Sequence, residues 1–282
     1  MVTKLNNAIN QINSILIKNN VKDALHITLM LLSELLNIDK ATLIAKKNEI
    51  EIDNIQYKKL LSWLNKYIEG YPIQYCYNKA YFMGLEFFVN ENVLIPRFDT
   101  ELIVEKALEK IKEFNKPNVL DIGTGSGAIA ITLAKFSDAN IFATDISSNA
   151  LEIAKHNAKI NNVYEKIVFI ESNLFENINN IMFDIIISNP PYISEEDYKN
   201  LDKRVLKEPK IALLASGDDI KFYKAISDQA DSYLRDGGYL IFEIGYNQAK
   251  RVSEYLLKEY SSIEIFKDLS HIERVIIAKK DK

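Results

Sequence analysis

Val119-Leu120-Asp121-Ile122-Gly123-Thr124-Gly125-Ser126-Gly127-Ala128-Ile129-Ala130-Ile131 reads as a buried strand that runs through a glycine-rich turn directly into an apolar helix. Glycines at alternate positions let the backbone turn tightly and approach a ligand closely at a helix N-terminus. A glycine loop alone is weak evidence, and its surroundings give it weight. Strands are expected at 118–122, 140–144, 166–171, 182–188, 238–243, 263–267 and 273–279, with helices near 127–136, 148–161, 220–234 and 247–258. This alternation predicts a doubly wound α/β domain with a Rossmann-like, mostly parallel sheet of seven strands. No internal repeat or low-complexity segment interrupts it.

The second strand, Ile141-Phe142-Ala143-Thr144, ends in Asp145, where an acid that accepts from two ribose hydroxyls belongs. The blander reading of Asp145 is an N-cap of the helix beginning near Ser147. Glycine spacing separates the cofactor classes. Dinucleotide sites use G-x-G-x-x-G, whereas D-x-G-x-G-x-G over 121–127, opened by an acid, suits a nucleoside with a cationic amino-acid tail such as S-adenosylmethionine. The Asp121 charge is expected beside the ligand, where it favours an ammonium or sulfonium and opposes a pyrophosphate. Gly123, Thr124, Gly125, Ser126 and Gly127 form the rest of that loop. After the third strand, Asn173 and Leu174 stand where a loop meets an adenine, although Leu174 and Phe175 read equally well as core.

Phe183-Asp184-Ile185-Ile186-Ile187-Ser188 runs into Asn189-Pro190-Pro191-Tyr192. Two prolines cannot continue a ladder, so a buried strand spills here into a stiff loop at the sheet edge where open α/β sheets keep their sites. Pro190 pushes Asn189 out of the helical region. The Asn189 side-chain oxygen and the Pro190 carbonyl can then accept from one planar N–H₂ group, with Tyr192 offering a face to stack on it. The bland alternative is a plain proline turn.

The 282 residues suit two domains, and 48% apolar with 26% charged residues is a globular balance. No apolar run approaches the roughly 18 residues of a membrane span, and no signal peptide is evident, so a cytoplasmic location with no membrane association is expected. A single cysteine and three histidines exclude an internal disulfide and argue against a metal site. The net charge of −4 argues against a bulk nucleic-acid binder. Residues 1–76 read as a helical docking domain, with Leu25, Leu29, Leu32 and Leu36 and then Tyr57, Leu60, Leu61, Leu64 and Ile68 on its helix faces. Nine lysines stand there against seven acidic residues. Residues 77–96 read as a β-hairpin linker and 97–282 as the α/β domain, with Asp99 a plausible N-cap of its first helix.

Asp121-x-Gly-x-Gly-x-Gly, Asp145 and Asn-Pro-Pro-Tyr in this order resemble a class I S-adenosylmethionine-dependent methyltransferase acting on a planar nitrogen. Pro72-Ile73-Gln74-Tyr75, Val93-Leu94-Ile95-Pro96-Arg97-x-Asp99-Thr100-Glu101 and Glu208-Pro209-x-x-Ala212-Leu213 narrow the resemblance to the PrmC/HemK family of peptide chain release factor glutamine methyltransferases. It spans essentially the whole chain. It implies methyl transfer from S-adenosylmethionine to the side-chain amide of the Gln in the Gly-Gly-Gln motif of class I release factors. Gly123 to Gly127 and Asp145 would hold the cofactor, and Asn189 to Tyr192 the glutamine. The chain departs from the family pattern at Phe98, where Pro is usual, at Asn78 and Asp219, where Gly is usual, and at Asn173, where Asp is usual. Competing readings are a glutamine methyltransferase of a ribosomal protein, an adenine-N6 nucleic-acid methyltransferase that flips its base, and a catalytically dead scaffold.

Overall fold

The computed structural model describes residues 2–281. The chain forms two compact units, Met1–Asn78 with Lys203–Lys207, and Lys79–Asp202 with Glu208–Lys282. The first holds α1 (Leu5–Lys18), α2 (Ala24–Leu36), α3 (Lys40–Ala45), α4 (Asn54–Ile68) and α5 (Ile73–Tyr77), plus the short antiparallel pair β1 (Thr3–Lys4) and β2 (Glu51–Ile52). Asp53 and Gln56 start α4 with a reciprocal capping box, and the Asp39 carboxylate caps α3 by accepting from Thr42 N at 2.9 Å. Leu5, Ile12, Leu16, Leu31, Leu32, Leu60 and Leu64 fill the core. The expected α2 stripe is displaced: Ala24, Thr28, Leu31 and Leu32 are buried, while Leu25 is exposed. Asn78 ends α5 at φ +58°, which explains how it replaces the usual Gly, since Asn tolerates the left-handed region. Residues 203–207 join this unit through Arg204, whose guanidinium donates to the Tyr67 and Tyr71 carbonyls at 2.9 and 3.1 Å and covers the Tyr67 ring.

The second unit opens with the hairpin of β3 (Lys79–Phe82) and β4 (Leu85–Phe88), turned by Met83 and Gly84 at φ +48° and +73°. Asn157 fastens it to the rest of the unit, donating to Phe88 O and accepting from Phe88 N. Val93-Leu94-Ile95 forms no strand. A 3₁₀ turn at Phe98–Thr100 leads into α6 (Glu101–Ile111). Asp99 does not cap that helix; its carboxylate pairs with Arg274 at 3.2 Å.

Then follow β5 (Asn118–Ile122), α7 (Ala128–Phe136), β6 (Asn140–Asp145), α8 (Ser148–Ile160), β7 (Ile167–Glu171), β8 (Phe183–Ser188), the short helices α9 (Glu195–Lys199) and α10 (Lys210–Leu213), α11 (Lys221–Ala230), β9 (Leu234–Glu243), α12 (Ala249–Leu256), β10 (Ser262–Lys267) and β11 (Glu273–Lys279). The seven strands are ordered β10-β11-β9-β8-β5-β6-β7, with β11 antiparallel to both neighbours and the rest parallel. Leu120, Ile122, Ile186, Leu240 and Phe242 pack one face under Tyr223 and Ile226 of α11 and Val252 and Leu256 of α12. Their alternates Val119, Ile185, Ile187 and Ile241 are equally buried, as the period of two requires of a strand covered on both faces. Helices α6, α7 and α8 lie against the sheet as its other layer.

Candidate active site

Chain order reverses on either side of β5, with β6 and β7 to one side and β8 and β9 to the other, and such a switch point opens a crevice at the C-terminal strand ends. Register decides what meets there. Ile122 pairs with Ser188, Ile122 with Thr144, and Ser188 with Phe242. The next residue on each strand therefore reaches one edge: Gly123, Asn189, Asp145 and Glu243.

One cleft in this unit is lined by Gly123, Gly125, Asp145, Asn173, Leu174, Asn189, Pro190 and Pro191 among others. Gly123 and Gly125 have φ +72° and +55°, and added Cβ atoms there would meet no atom closer than 4.0 Å, so the loop backbone is bare toward the cleft. Gly127 serves packing instead: at φ +83° a Cβ would stand 2.7 Å from Ile131 Cδ1 and 3.3 Å from the Ala154 backbone. Asp145 Oδ2 accepts from Gly125 N at 2.8 Å and Oδ1 from Ser147 N at 2.9 Å. The expected cap role falls to Ser147, whose hydroxyl accepts from Ala150 N. Burial raises the Asp145 pKa, and the N–H groups of Ser147, Gly125 and Ile146 oppose that rise.

Asp121, expected beside the ligand, lies fully buried behind the loop instead. Its Oδ2 accepts from the Thr124 hydroxyl at 2.7 Å and Ala130 N at 3.2 Å, while Oδ1 has no partner. Burial pushes its pKa up to about 7. Asp121 thus braces the turn into α7. Thr124 and Ser126 are buried with it, and Asn157 Nδ2 holds the Ser126 carbonyl at 2.8 Å. Leu174 sits at φ +51° on the cleft wall, whereas Phe175 is core. Asn173 lines the cleft, but its Nδ2 donates to Glu176 Oε1 at 2.8 Å.

Asn189 Nδ2 donates to Thr100 Oγ1 at 3.3 Å. Among the described residues no donor reaches the Asn189 side-chain oxygen or the Pro190 carbonyl. Tyr192 stands behind the lining, its hydroxyl 3.5 Å from Glu243 Oε1 and its carbonyl accepting from Gln248 Nε2 at 3.1 Å. Burial raises its pKa. Two stiffly held acceptors at the wall of a largely apolar cleft can receive the two N–H bonds of a planar amide or exocyclic amine.

Sequence reasoning gave no role to Thr100, Glu208, Glu243 or Gln248. Glu208 is buried, accepts from Ile95 N at 3.0 Å and pairs with Arg97, fixing the segment that carries the lining residues Val93 and Leu94. Its sequence signal was its place in Glu208-Pro209-x-x-Ala212-Leu213, one of the stretches that carry the family resemblance.

An antiparallel last strand inserted in a parallel sheet, with a glycine loop after β5, Asp145 after β6 and Asn-Pro-Pro-Tyr after β8, defines a class I methyltransferase. The family model described as Methyltransferase small domain matches residues 98–220, and that of the PrmC N-terminal domain matches residues 7–76. The chain belongs to the release factor glutamine methyltransferases. It is 43% identical over 269 residues to the family's protein from Fusobacterium nucleatum, covering 93% of this chain and 75% of that one. The Clostridium acetobutylicum protein is 36% identical over 98% of both chains. The solved hMettl16 catalytic domain, in complex with the MAT2A 3′UTR hairpin 6, shares the fold at TM-score 0.57 and 17% identity over 80% of this chain and 82% of that one.

Proposed function

We propose that this enzyme transfers a methyl group from S-adenosyl-L-methionine to the side-chain amide nitrogen of the glutamine in the Gly-Gly-Gln motif of class I release factors. The observation that carries the reading is the pair of unclaimed acceptors, Asn189 Oδ1 and Pro190 O, at the same cleft as the bare glycine loop. Both relatives cited bear the name release factor glutamine methyltransferase. S-adenosylmethionine fits the residues present: Gly123 and Gly125 leave room for close approach, and Asp145 keeps unused lone pairs for ribose hydroxyls. When bound it supplies an electrophilic methyl group on a sulfonium.

An amide nitrogen is a weak nucleophile because its lone pair is delocalised into the carbonyl. Asn189 Oδ1 and Pro190 O accept its two N–H bonds, orient it, and stabilise the positive charge that develops on it. Positioning contributes about 7–11 kcal/mol of barrier reduction, and each preorganised dipole about 3–4 kcal/mol, so no charged base is required to form the N–C bond, and the acidic protonated amide that results releases its extra proton to water. The Pro190-Pro191 backbone holds both acceptors with little reorganisation. Class I release factors are the protein partner, met by the helical unit. The enzyme works in the cytoplasm without a membrane or direct nucleic-acid contact; among the described residues no helix is long and apolar enough to cross a membrane.

Asn189→Ala removes one acceptor and is expected to lower single-turnover methyl transfer on the order of 10²–10³-fold, with cofactor affinity nearly unchanged. A folded Asn189→Ala enzyme with the wild-type single-turnover rate would remove this stretch from the chemistry.

A further inference from the structure

Exposed apolar side chains scattered singly over a surface call for no explanation, but a group of them gathered on separate loops by one polar hub does. Phe98, Tyr246 and Leu269 are 70%, 68% and 87% exposed. They come from three places in the α/β unit: the turn before α6, the turn after β9 and the β10–β11 connection. Arg274, at the start of β11, ties all three. Its Nη2 pairs with Asp99 Oδ2 at 3.2 Å and its Nε with Asp268 Oδ2 at 3.1 Å, while its carbonyl accepts from Ile244 N at 2.8 Å. Phe98 and Leu269 each adjoin one of those carboxylates in sequence, and Tyr246 closely follows Ile244. The Leu269 turn is closed on itself as well: Asp268 Oδ1 accepts from Ser270 N and Ile272 N at 2.8 and 2.9 Å, and Asp268 N donates to Ile272 O at 2.8 Å.

Asn189 sets the place of this surface. Thr100, in the same turn as Phe98, accepts from Asn189 Nδ2 at 3.3 Å, and Gly245, next to Tyr246, lies against the Tyr192 ring. A glutamine side chain is short, so a backbone that delivers its amide to Asn189 and Pro190 must come to rest on the rim of the site. The glycine loop and Asp145 follow β5 and β6, on the other side of β8 from β9 and β11, so the rim left to the substrate is the one carrying Phe98, Tyr246 and Leu269. We propose that these three side chains form the surface on which the polypeptide around the target glutamine rests. The inference rests on the reading of Asn189 as the substrate acceptor and adds where the main chain of the protein substrate is held. The glycines of a Gly-Gly-Gln segment carry no side chains, so the two rings and the leucine pack directly on their peptide groups. The Arg274 guanidinium is outnumbered by the carboxylates of Asp99 and Asp268, so the surface repels a phosphate backbone and favours a polypeptide.

The test uses the full-length enzyme and a purified class I release factor. Cys76 is buried, so Leu269→Cys supplies an exposed thiol that can carry a benzophenone photocrosslinker. Phe136→Cys is the control: Phe136 is also exposed but lies beside Pro117, just before β5, at the opposite end of the sheet. Illumination is expected to join position 269, and not position 136, to the release factor peptide that contains Gly-Gly-Gln. Phe98→Ser, Tyr246→Ser and Leu269→Ser should each raise KM for release factor on the order of 10-fold, with kcat, cofactor affinity and urea stability close to wild type, and Phe98→Leu should restore most of the loss. Wild-type KM in all three serine variants, or a cross-link from 269 only to other parts of release factor, in an enzyme that methylates release factor, would overturn this inference and leave the reading of Asn189 standing. A nucleic acid that binds the wild type and loses affinity in the three variants would overturn it too, by assigning the surface to that class of partner. Failure of the wild type to methylate release factor would refute the reading of the site itself, and this inference with it.

Discussion

Gly245→Ala should disable the enzyme from behind the site. The glycine's φ is ordinary, so no backbone strain arises, but the added Cβ would lie 2.8 Å from Gln248 Oε1, 3.1 Å from Gln248 Cδ and 2.9 Å from Tyr192 Cδ2. Neither neighbour yields freely. Gln248 Oε1 accepts from Gly245 N and the Tyr223 hydroxyl at 3.0 and 3.1 Å, and its Nε2 donates to Tyr192 O and Asp219 Oδ2 at 3.1 and 2.9 Å. The Tyr192 ring packs on the core beneath α11 and α12. Overpacking costs about 1–3 kcal/mol and a broken internal hydrogen bond about 0.5–1.5 kcal/mol, so a loss of about 2–4 kcal/mol is expected. The least costly relief moves Tyr192, and displacement of a positioning segment can lower turnover on the order of 10²-fold. Single-turnover transfer at saturating cofactor, run beside urea unfolding, separates the two effects. A destabilised Gly245→Ala enzyme with the wild-type rate would show that the clamp on Tyr192 serves stability alone.

Asp145→Ala should weaken cofactor binding about 10- to 150-fold, because charge-assisted hydrogen bonds contribute about 1.5–3 kcal/mol, and calorimetric titration against the wild type measures it. An unchanged dissociation constant would leave Asp145 as a brace for Gly125 and Ser147 only. Asp121→Asn should change how stability depends on pH. The folded-state pKa of Asp121 is raised from 3.8 to about 7, so the folded chain holds a proton that the unfolded chain releases, and its contribution falls as pH rises through that window. The stability of wild type relative to Asp121→Asn should therefore drop between about pH 4 and 8, by as much as about 4 kcal/mol. Urea unfolding of both proteins across that range checks the sign, and a difference independent of pH would refute it.

The α/β unit was legible because its strands are covered on both faces, which leaves unbroken runs such as Ile185-Ile186-Ile187 punctuated by glycine loops or prolines. Helix faces were less legible. In α2 nine of thirteen positions are apolar and spread around the helix, so periodicity could not tell Leu25, which is exposed, from Leu31, which is buried. The glycine-rich stretch was recognised as a loop, yet its inner division was hidden: Asp121, Thr124, Ser126 and Gly127 brace or pack while Gly123 and Gly125 open to the cleft. Asp99 fitted a cap by position, but its partner Arg274 lies far along the chain. Thr100, Glu243 and Gln248 escaped for the same reason. Their roles arise from long-range register, above all Ser188 beside Phe242, which brings Glu243 next to Asn189.

The most direct test of the account is mass spectrometry of a purified class I release factor incubated with this protein and S-adenosylmethionine. The account predicts that the tryptic peptide containing Gly-Gly-Gln gains the mass of one methyl group, that fragmentation places it on the glutamine side-chain nitrogen, and that Asn189→Ala slows the gain on the order of 10²–10³-fold. A release factor that stays unmodified while a ribosomal protein or a nucleic-acid adenine is methylated under the same conditions would contradict it.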